Sequence, residues 1–265
     1  MSARLRHYVC GSTAHDLSAM FRGGARESRE FPSGVFLFDG SDGRRVLFDT
    51  GYAPGTWRTG WRGAAYRRLL PPKVEVGDDI ARQLADDGVD PSSITHVVLS
   101  HLHPDHIGGI ARFPTATFVM TSGQRNSLAA PRLRAGILTG LLPDWFDDAR
   151  RIVLDDEAFQ VIDLGGIPLR GADLFGDGSV VVVDLPGHAD GHIGALVDGR
   201  VLLAGDAAWG RDLLAATADL RAIPRAVQHD HVAYRRTAVL LQDVAAAGIR
   251  IICSHDPLGA KELLD

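Results

Sequence analysis

Apolar positions along this chain gather in short dense runs, at residues 35–38, 46–48, 94–99, 116–120, 180–183, 193–197, 201–204 and 249–253. Runs this short, rich in Val, Ile and Phe, predict strands of largely buried sheets. Asp39-Gly40-Ser41-Asp42-Gly43 and Asp198-Gly199 separate neighbouring runs. Glycine there accepts the positive φ of hairpin turns, so the flanking strands should be antiparallel. Helical patterning is rarer. It covers residues 78–87, closing on Gly88, and 229–247, closing on Gly248, each with glycine where a helix ends in a left-handed residue.

Strands interrupted by helices predict an α+β or layered α/β architecture. The 265 residues read as one domain of two pseudo-halves, each with several strands followed by helix, meeting near residue 155. Two stretches read as insertions. Residues 52–73 carry Trp57, Trp61, Tyr66 and five basic but no acidic residues, and residues 121–151 carry the pair Trp145-Phe146. Long connections in compact folds are usually functional or mobile.

Composition narrows the function. With 28 Lys+Arg against 33 Asp+Glu the net charge is −5, which argues against a nucleic-acid partner. The only cysteines, Cys10 and Cys253, stand far apart and form neither a disulfide framework nor a CxxC motif. No apolar run is long enough to span a membrane, and the first residues lack the apolar core of a signal peptide, so the expected location is the cytoplasm.

The chemistry concentrates in His101-Leu102-His103-Pro104-Asp105-His106, directly after the apolar run 97–99. Imidazole and carboxylate form the ligand set of zinc, or of iron or manganese in a more oxygen-rich site. A lone histidine is usually structural, but three with an aspartate in six residues point to a metal. Alternation along an extended segment turns His101 and His103 to one side. Asp105 and His106 fall beyond Pro104, where they can reach a second centre. His188, Asp206 and His255 each follow a predicted strand, so all can converge on one sheet edge.

The series HxHxDH, PGH, LLAGD and SHD, preceded by Asp49-Thr50-Gly51, resembles the metallo-beta-lactamase superfamily, with its motifs in the same order over nearly the whole chain. The resemblance implies a four-layer αββα sandwich and two divalent metal ions, zinc first, with iron or manganese as alternatives. It puts His101, His103 and His188 on one ion and Asp105, His106 and His255 on the other, with Asp206 bridging. Asp49 would orient a ligand histidine or its loop. His192 is expected to pack or to orient rather than to bind metal. His7, His15, His96, His229 and His231 match no motif and are assigned structural or surface roles.

The same resemblance implies hydrolysis by a metal-bridging hydroxide, with Asp105 passing the proton to the leaving group. No GxSxG nucleophile is present. The runs around residues 34–49 and the ending Ser254-His255-Asp256 look most like the N-acyl homoserine lactonase branch, so a small-molecule lactone or ester with an acyl arm is the expected substrate. Those lactonases carry tyrosine three residues after the bridging aspartate. Trp209 stands there in this chain, and its indole offers one N–H donor but no phenol. Trp209, Trp57, Trp61, Tyr66, Trp145 and Phe146 are candidates for an apolar roof. Arg58, Arg62, Arg67, Arg68 and Lys73 read as a solvated basic face, or as a grip on an acidic substrate such as an acyl-CoA. The rival functions are an acyl thioesterase on the same fold and a metal-retaining binding or regulatory protein with residual hydrolysis.

Overall fold

The computed structural model describes residues 3–55, 59–130, 135–259 and 261–264. Among the described residues twelve strands form two sheets. The first holds β1 (Arg4–Asp16), β2 (Ser28–Asp39), β3 (Arg45–Phe48), β4 (His96–Val98), β5 (Thr117–Thr121) and β6 (Arg151–Leu154), side by side in chain order. The second holds β7 (Gln160–Leu164), β8 (Ile167–Asp173), β9 (Val180–Asp184), β10 (Ile193–Val197), β11 (Val201–Leu203) and β12 (Arg250–Ile252), also in chain order. The helices are α1 (Leu17–Met20), α2 (Gly60–Leu69), α3 (Ile80–Asp86), α4 (Pro104–Ile107), α5 (Ser122–Ala129), α6 (Ala222–Ala226) and α7 (His231–Ala246).

The apolar runs are explained by burial on both faces of each sheet. Phe36 and Phe38 of β2, Val46 and Phe48 of β3, Val98 and Val119 meet Val180, Val182, Ile193, Ala195 and Leu203 in the core between the sheets. Their strand neighbours Val35, Leu37, Leu47, Val97 and Phe118 point outward, onto Ile80 and Leu84 of α3. On the other side Leu196 and Leu202 pack under Ala238, Leu241 and Val244 of α7. The result is the expected four-layer αββα sandwich.

Both predicted hairpins are present and antiparallel, β2 with β3 and β10 with β11. Both predicted helices form, each capped by an aspartate. Asp79 accepts from the Ala81 amide and Asp230 from those of Val232 and Ala233. Pattern reading missed β1, β6, β7 and β8. β1, β6 and β7 are edge strands; β6 is a half-buried strand of 4 residues, and β7 exposes Gln160 and Asp163. β1 mixes polar residues into a bulged strand whose register shifts between Val9 and Ser12. It also missed α2, of which only Gly63 is buried. Among the described residues no helix is long and apolar enough to cross a membrane.

Candidate metal centre and its cleft

The parallel strand β4 ends at Val98, and the chain turns through Ser100 and His101 before Pro104 opens α4, a position that needs no amide hydrogen. Asp105 and His106 lie on that single turn. The Thr50 amide and hydroxyl both donate to the His106 carbonyl at 2.8 Å, and the Ser33 hydroxyl donates to that of Asp105 at 2.6 Å. A β-carbon on Gly109 would stand 2.4 Å from the Thr50 carbonyl oxygen, so glycine there lets α4 close on the Asp49-Thr50-Gly51 turn. His188 follows β9 through Gly187, where a β-carbon would fall 2.1 Å from the Tyr234 amide nitrogen at the start of α7. Asp206 follows β11 and His255 follows β12, so all these side chains meet at one edge of the sandwich.

Three sets of side chains converge there. They are His101 with His103 and His188, His101 with His106 and Asp206, and Asp105 with His106 and His255, the donor atoms of each set lying within 4.8 Å of one another. Asp206 reaches across them. Its Oδ1 is 3.4 Å from His106 Nε2, and its Oδ2 is 3.5 Å from His188 Nε2 and 3.1 Å from His255 Nε2.

The far ring nitrogens of these imidazoles set their tautomers. His103 Nε2 donates to the Ala135 carbonyl at 3.1 Å, His188 Nδ1 to Gln228 Oε1 at 2.9 Å and His255 Nδ1 to the Pro32 carbonyl at 2.7 Å. Ser100 Oγ gives its proton to Asp49 Oδ2 and so accepts from His101 Nδ1 at 3.0 Å. His106 Nδ1 donates to Asp49 Oδ2 at 2.7 Å. The inward nitrogens of His101, His103 and His188 are therefore bare lone pairs. His103 Nδ1 lies 2.9 Å from His101 Nε2 and 3.1 Å from His188 Nε2. Lone pairs that close repel unless a cation stands among them, and a tetrahedral zinc would hold its nitrogens roughly 3.3 Å apart. His106 Nε2 and Asp206 Oδ1 are also buried without a hydrogen-bond partner. The residues present fit a metal.

The protonation states of His101 and His188 agree. Burial, then the neighbouring imidazoles, push His101 well below the ordinary histidine value, and burial takes His188 to about 3. These rings are neutral and ready to ligate near pH 7. Burial opposes charge on Asp105 too, but His106 and His255 hold its pKa down to about 2. Burial likewise disfavours charged His106, yet Asp105, Asp49 and Asp206 lift it well above the usual value.

Asp49 takes up the Ser100 amide and hydroxyl at 2.7 Å as well as His106, linking the first sheet to the metal loop. His192 donates from Nδ1 to the Leu185 carbonyl at 2.8 Å and accepts the Asp206 amide on Nε2 at 3.0 Å, so it fixes the backbone of Asp206.

The centre forms the floor of a cleft of about 420 Å³ whose walls include Phe31, Leu69, Leu70, Trp209 and Ile223. Trp209 lines the cleft and stands edge-on to His188 at 6.2 Å and to Phe21 at 6.3 Å, so the ring both packs and faces the cavity. The other expected roof residues lie elsewhere. Trp61 is 69% exposed, on the outer side of α2, with the Arg62 guanidinium near its ring. Trp145 and Phe146 pack against Phe118 beneath the first sheet, because the 3₁₀ turn that carries them folds inward. Trp57 and Arg58 lie outside the described residues. Tyr66 lines the cleft as expected, whereas Tyr52, Phe31 and His15 were not foreseen there. His15, assigned a structural role from the sequence, sits on β1 beside Phe31 at 5.8 Å. The signals that mark the walls are the exposed pair Leu69-Leu70 and the exposed Ile223, each beside arginines.

Residues 29–249 match the metallo-beta-lactamase superfamily. The chain is 31% identical over 239 residues to a probable metallo-hydrolase of Mycobacterium bovis, spanning 84% of this chain and 74% of that one. It is 29% identical over 245 residues to the N-acyl homoserine lactonase AttM of Azorhizobium caulinodans, spanning 85% and 79%. Among solved structures it is similar to B. thuringiensis AiiA with N-decanoyl-L-homoserine at its active site, with a TM-score of 0.72 at 17% identity over 97% of this chain and 95% of that one. It is also similar to AidC, a dizinc lactonase, with a TM-score of 0.63 at 14% identity over 97% and 88%. At those identities the structural likeness establishes the fold.

Proposed function

The chain belongs to the metallo-beta-lactamase superfamily and is a metal-dependent hydrolase, and we propose that it opens a lactone or carboxylic ester bearing an apolar acyl arm. The observation that carries this reading is the cleft itself, apolar along its walls and ending on Asp105, Asp206 and the histidines. The relatives named as N-acyl homoserine lactonases support the same substrate class. His101, His103 and His188 would hold one divalent cation and Asp105, His106 and His255 a second, with Asp206 shared, zinc being preferred to iron or manganese by the nitrogen-rich donor set. Bound cations would supply a water of lowered pKa and a Lewis acid for the carbonyl.

The chain's own residues supply the rest. Phe31, Leu70 and Ile223 would hold the acyl arm and exclude water from it. Asp105, ionised near pH 7, is the group placed to take a proton from the attacking water and return it to the leaving oxygen as the C–O bond breaks. Cys10 and Cys253 are free and buried, which suits a reducing compartment such as the cytoplasm.

The test is a screen of lactones, aryl esters and acyl thioesters with the metal content measured on the same sample. Lactones or esters should be turned over at least tenfold faster than thioesters, with activity removed by a chelator and restored by zinc. Preference for thioesters would favour the thioesterase reading. Two bound metals with no hydrolysis of any class would favour a binding protein.

A further inference from the structure

Two short helices, α2 and α6, give the cleft its outer rim. Leu69 and Leu70, at the end of α2, line the cleft and are 77% and 38% exposed, and Ile223 of α6 lines it at 80% exposed. Trp61, two turns before Leu69 on α2, also stands in solvent. Every exposed tryptophan, leucine and isoleucine among the described residues is thus on or beside these two helices. Apolar side chains exposed singly need no explanation, but a group of them around a cavity mouth marks an interaction surface. The charge there is of one sign. Residues 52–73 hold five basic residues and no acid, and residues 220–229 hold Arg221 and Arg225 and no acid. Arg68, Arg221 and Arg225 are exposed and make no ion pair among the described residues. The carboxylate that lines the cleft away from the metal centre, Asp16, is taken up by the Ser18 amide at 2.8 Å and hydroxyl at 2.6 Å.

We propose that this face docks on the surface of an anionic lipid bilayer, with Trp61, Leu69, Leu70 and Ile223 entering the boundary between headgroups and acyl chains and Arg68, Arg221 and Arg225 meeting lipid phosphates. Apolar side chains flanked by arginine on short surface helices suit a contact that lies on a membrane without crossing it. A second copy of the chain would suit the apolar residues but not the charges, because a twofold contact through this face sets arginines against arginines. The net charge of −5 does not oppose docking. At physiological salt, charges more than ~8 Å away are largely screened, so the local excess of arginine decides. Docked in this way, the cleft opens into lipid, and an acyl arm reaches the metal centre without crossing water. That delivery rests on the hydrolase reading above, whereas the docking does not.

Sedimentation of the metal-loaded protein with sucrose-filled vesicles tests the docking without any turnover. Affinity for phosphatidylcholine vesicles carrying one-third phosphatidylglycerol should exceed that for pure phosphatidylcholine at least tenfold, and should fall as salt is raised. Arg68→Gln with Arg225→Gln should weaken binding to the anionic vesicles about 25-fold, about fivefold for each arginine near the surface. Leu69→Ser with Ile223→Ser should weaken it at least tenfold. Trp61→Ser, outside the cleft, should weaken it too while leaving metal content and thermal midpoint unchanged. Wild-type protein that ignores anionic vesicles, or binds both kinds equally, would overturn the docking and leave the hydrolase reading intact. So would light scattering that shows a dimer which Leu69→Ser with Ile223→Ser converts to monomer, since a second copy would then cover the face. Selective vesicle binding by a protein inert toward every lactone and ester would uphold the docking and overturn the hydrolase reading instead.

Discussion

Replacing Asp49 by Asn separates the orientation of the metal loop from its backbone geometry. Asp49 has φ 62°, a left-handed conformation that Asn also tolerates, so the turn should survive. What changes is the count of acceptors. The carboxylate receives three donors, the Ser100 amide, the Ser100 hydroxyl and His106 Nδ1, each at 2.7 Å. An amide offers one oxygen and an NH₂ group. If its oxygen stays on the Ser100 amide, its NH₂ faces His106 Nδ1. The ring then avoids a donor-to-donor contact only by moving its proton to Nε2, the nitrogen that points at Asp105 and Asp206. A proton there competes with a cation. Loss of such an orienting partner typically costs 10- to 100-fold in metal affinity, equivalent to about 1.4–2.8 kcal/mol. Competition with a zinc-binding dye measures the affinity, and long-range ¹H–¹⁵N correlation of the histidines reads the tautomer directly. An Asn variant with wild-type affinity and the Nδ1–H tautomer of His106 intact would refute the argument.

Asp105→Asn should lower kcat by about 10²–10⁴-fold with little change in KM, and near-wild-type turnover with full metal content would remove Asp105 from proton transfer. Trp209→Tyr should raise hydrolysis of simple acyl homoserine lactones relative to bulkier esters, because it trims the ring and adds a hydroxyl. Identical relative rates for wild type, Trp209→Tyr and Trp209→Phe would show that the ring only packs. His7 stacks on Phe36 with a buried, unpartnered Nε2, and burial lowers its pKa from 6.5 to about 4. The unfolded chain therefore binds the extra proton first as pH falls. Its contribution to stability is intact above about 6.5 and is lost between 6.5 and 4, by at most on the order of 3 kcal/mol. Urea unfolding at pH 7.5 and 5 should show His7→Phe losing less stability than wild type, and equal losses would count against the assignment.

The strands buried on both faces were legible because each of their residues needs to be apolar, and runs such as 180–183 and 193–197 allow little else. The edge strand β7 hid because its wet side brings Gln160 and Asp163 into the run, which then resembles a loop in composition. The side chains gathered at the metal centre could be read because His101, His103, Asp105 and His106 are contiguous and the others follow buried strands at recognisable turns. Their anchors were mostly illegible. His103 and His255 lean on the carbonyls of Ala135 and Pro32, and any residue carries a carbonyl. Aromatic content misled the reading of the roof for a related reason. A tryptophan or phenylalanine serves a core as well as a pocket, and Phe146 went to the core.

The cleft is assembled from pieces that meet only in three dimensions. β1 brings His15, β2 brings Phe31, α2 brings Tyr66 and α6 brings Ile223. The anchors tie this assembly to the centre unequally. His106 is held from the interior by buried Asp49, and His101 by buried Ser100. His188 is held by Gln228, just beyond α6, and His103 by Ala135, next to the cleft residue Gly136. Rearranging the cleft walls to admit a different acyl arm would therefore disturb His103 and His188 while leaving His101 and His106 in place. Substrate range and metal affinity are thus coupled through those two histidines, and selection for a new acyl group on this scaffold should bring compensating changes at Gln228 or around Ala135.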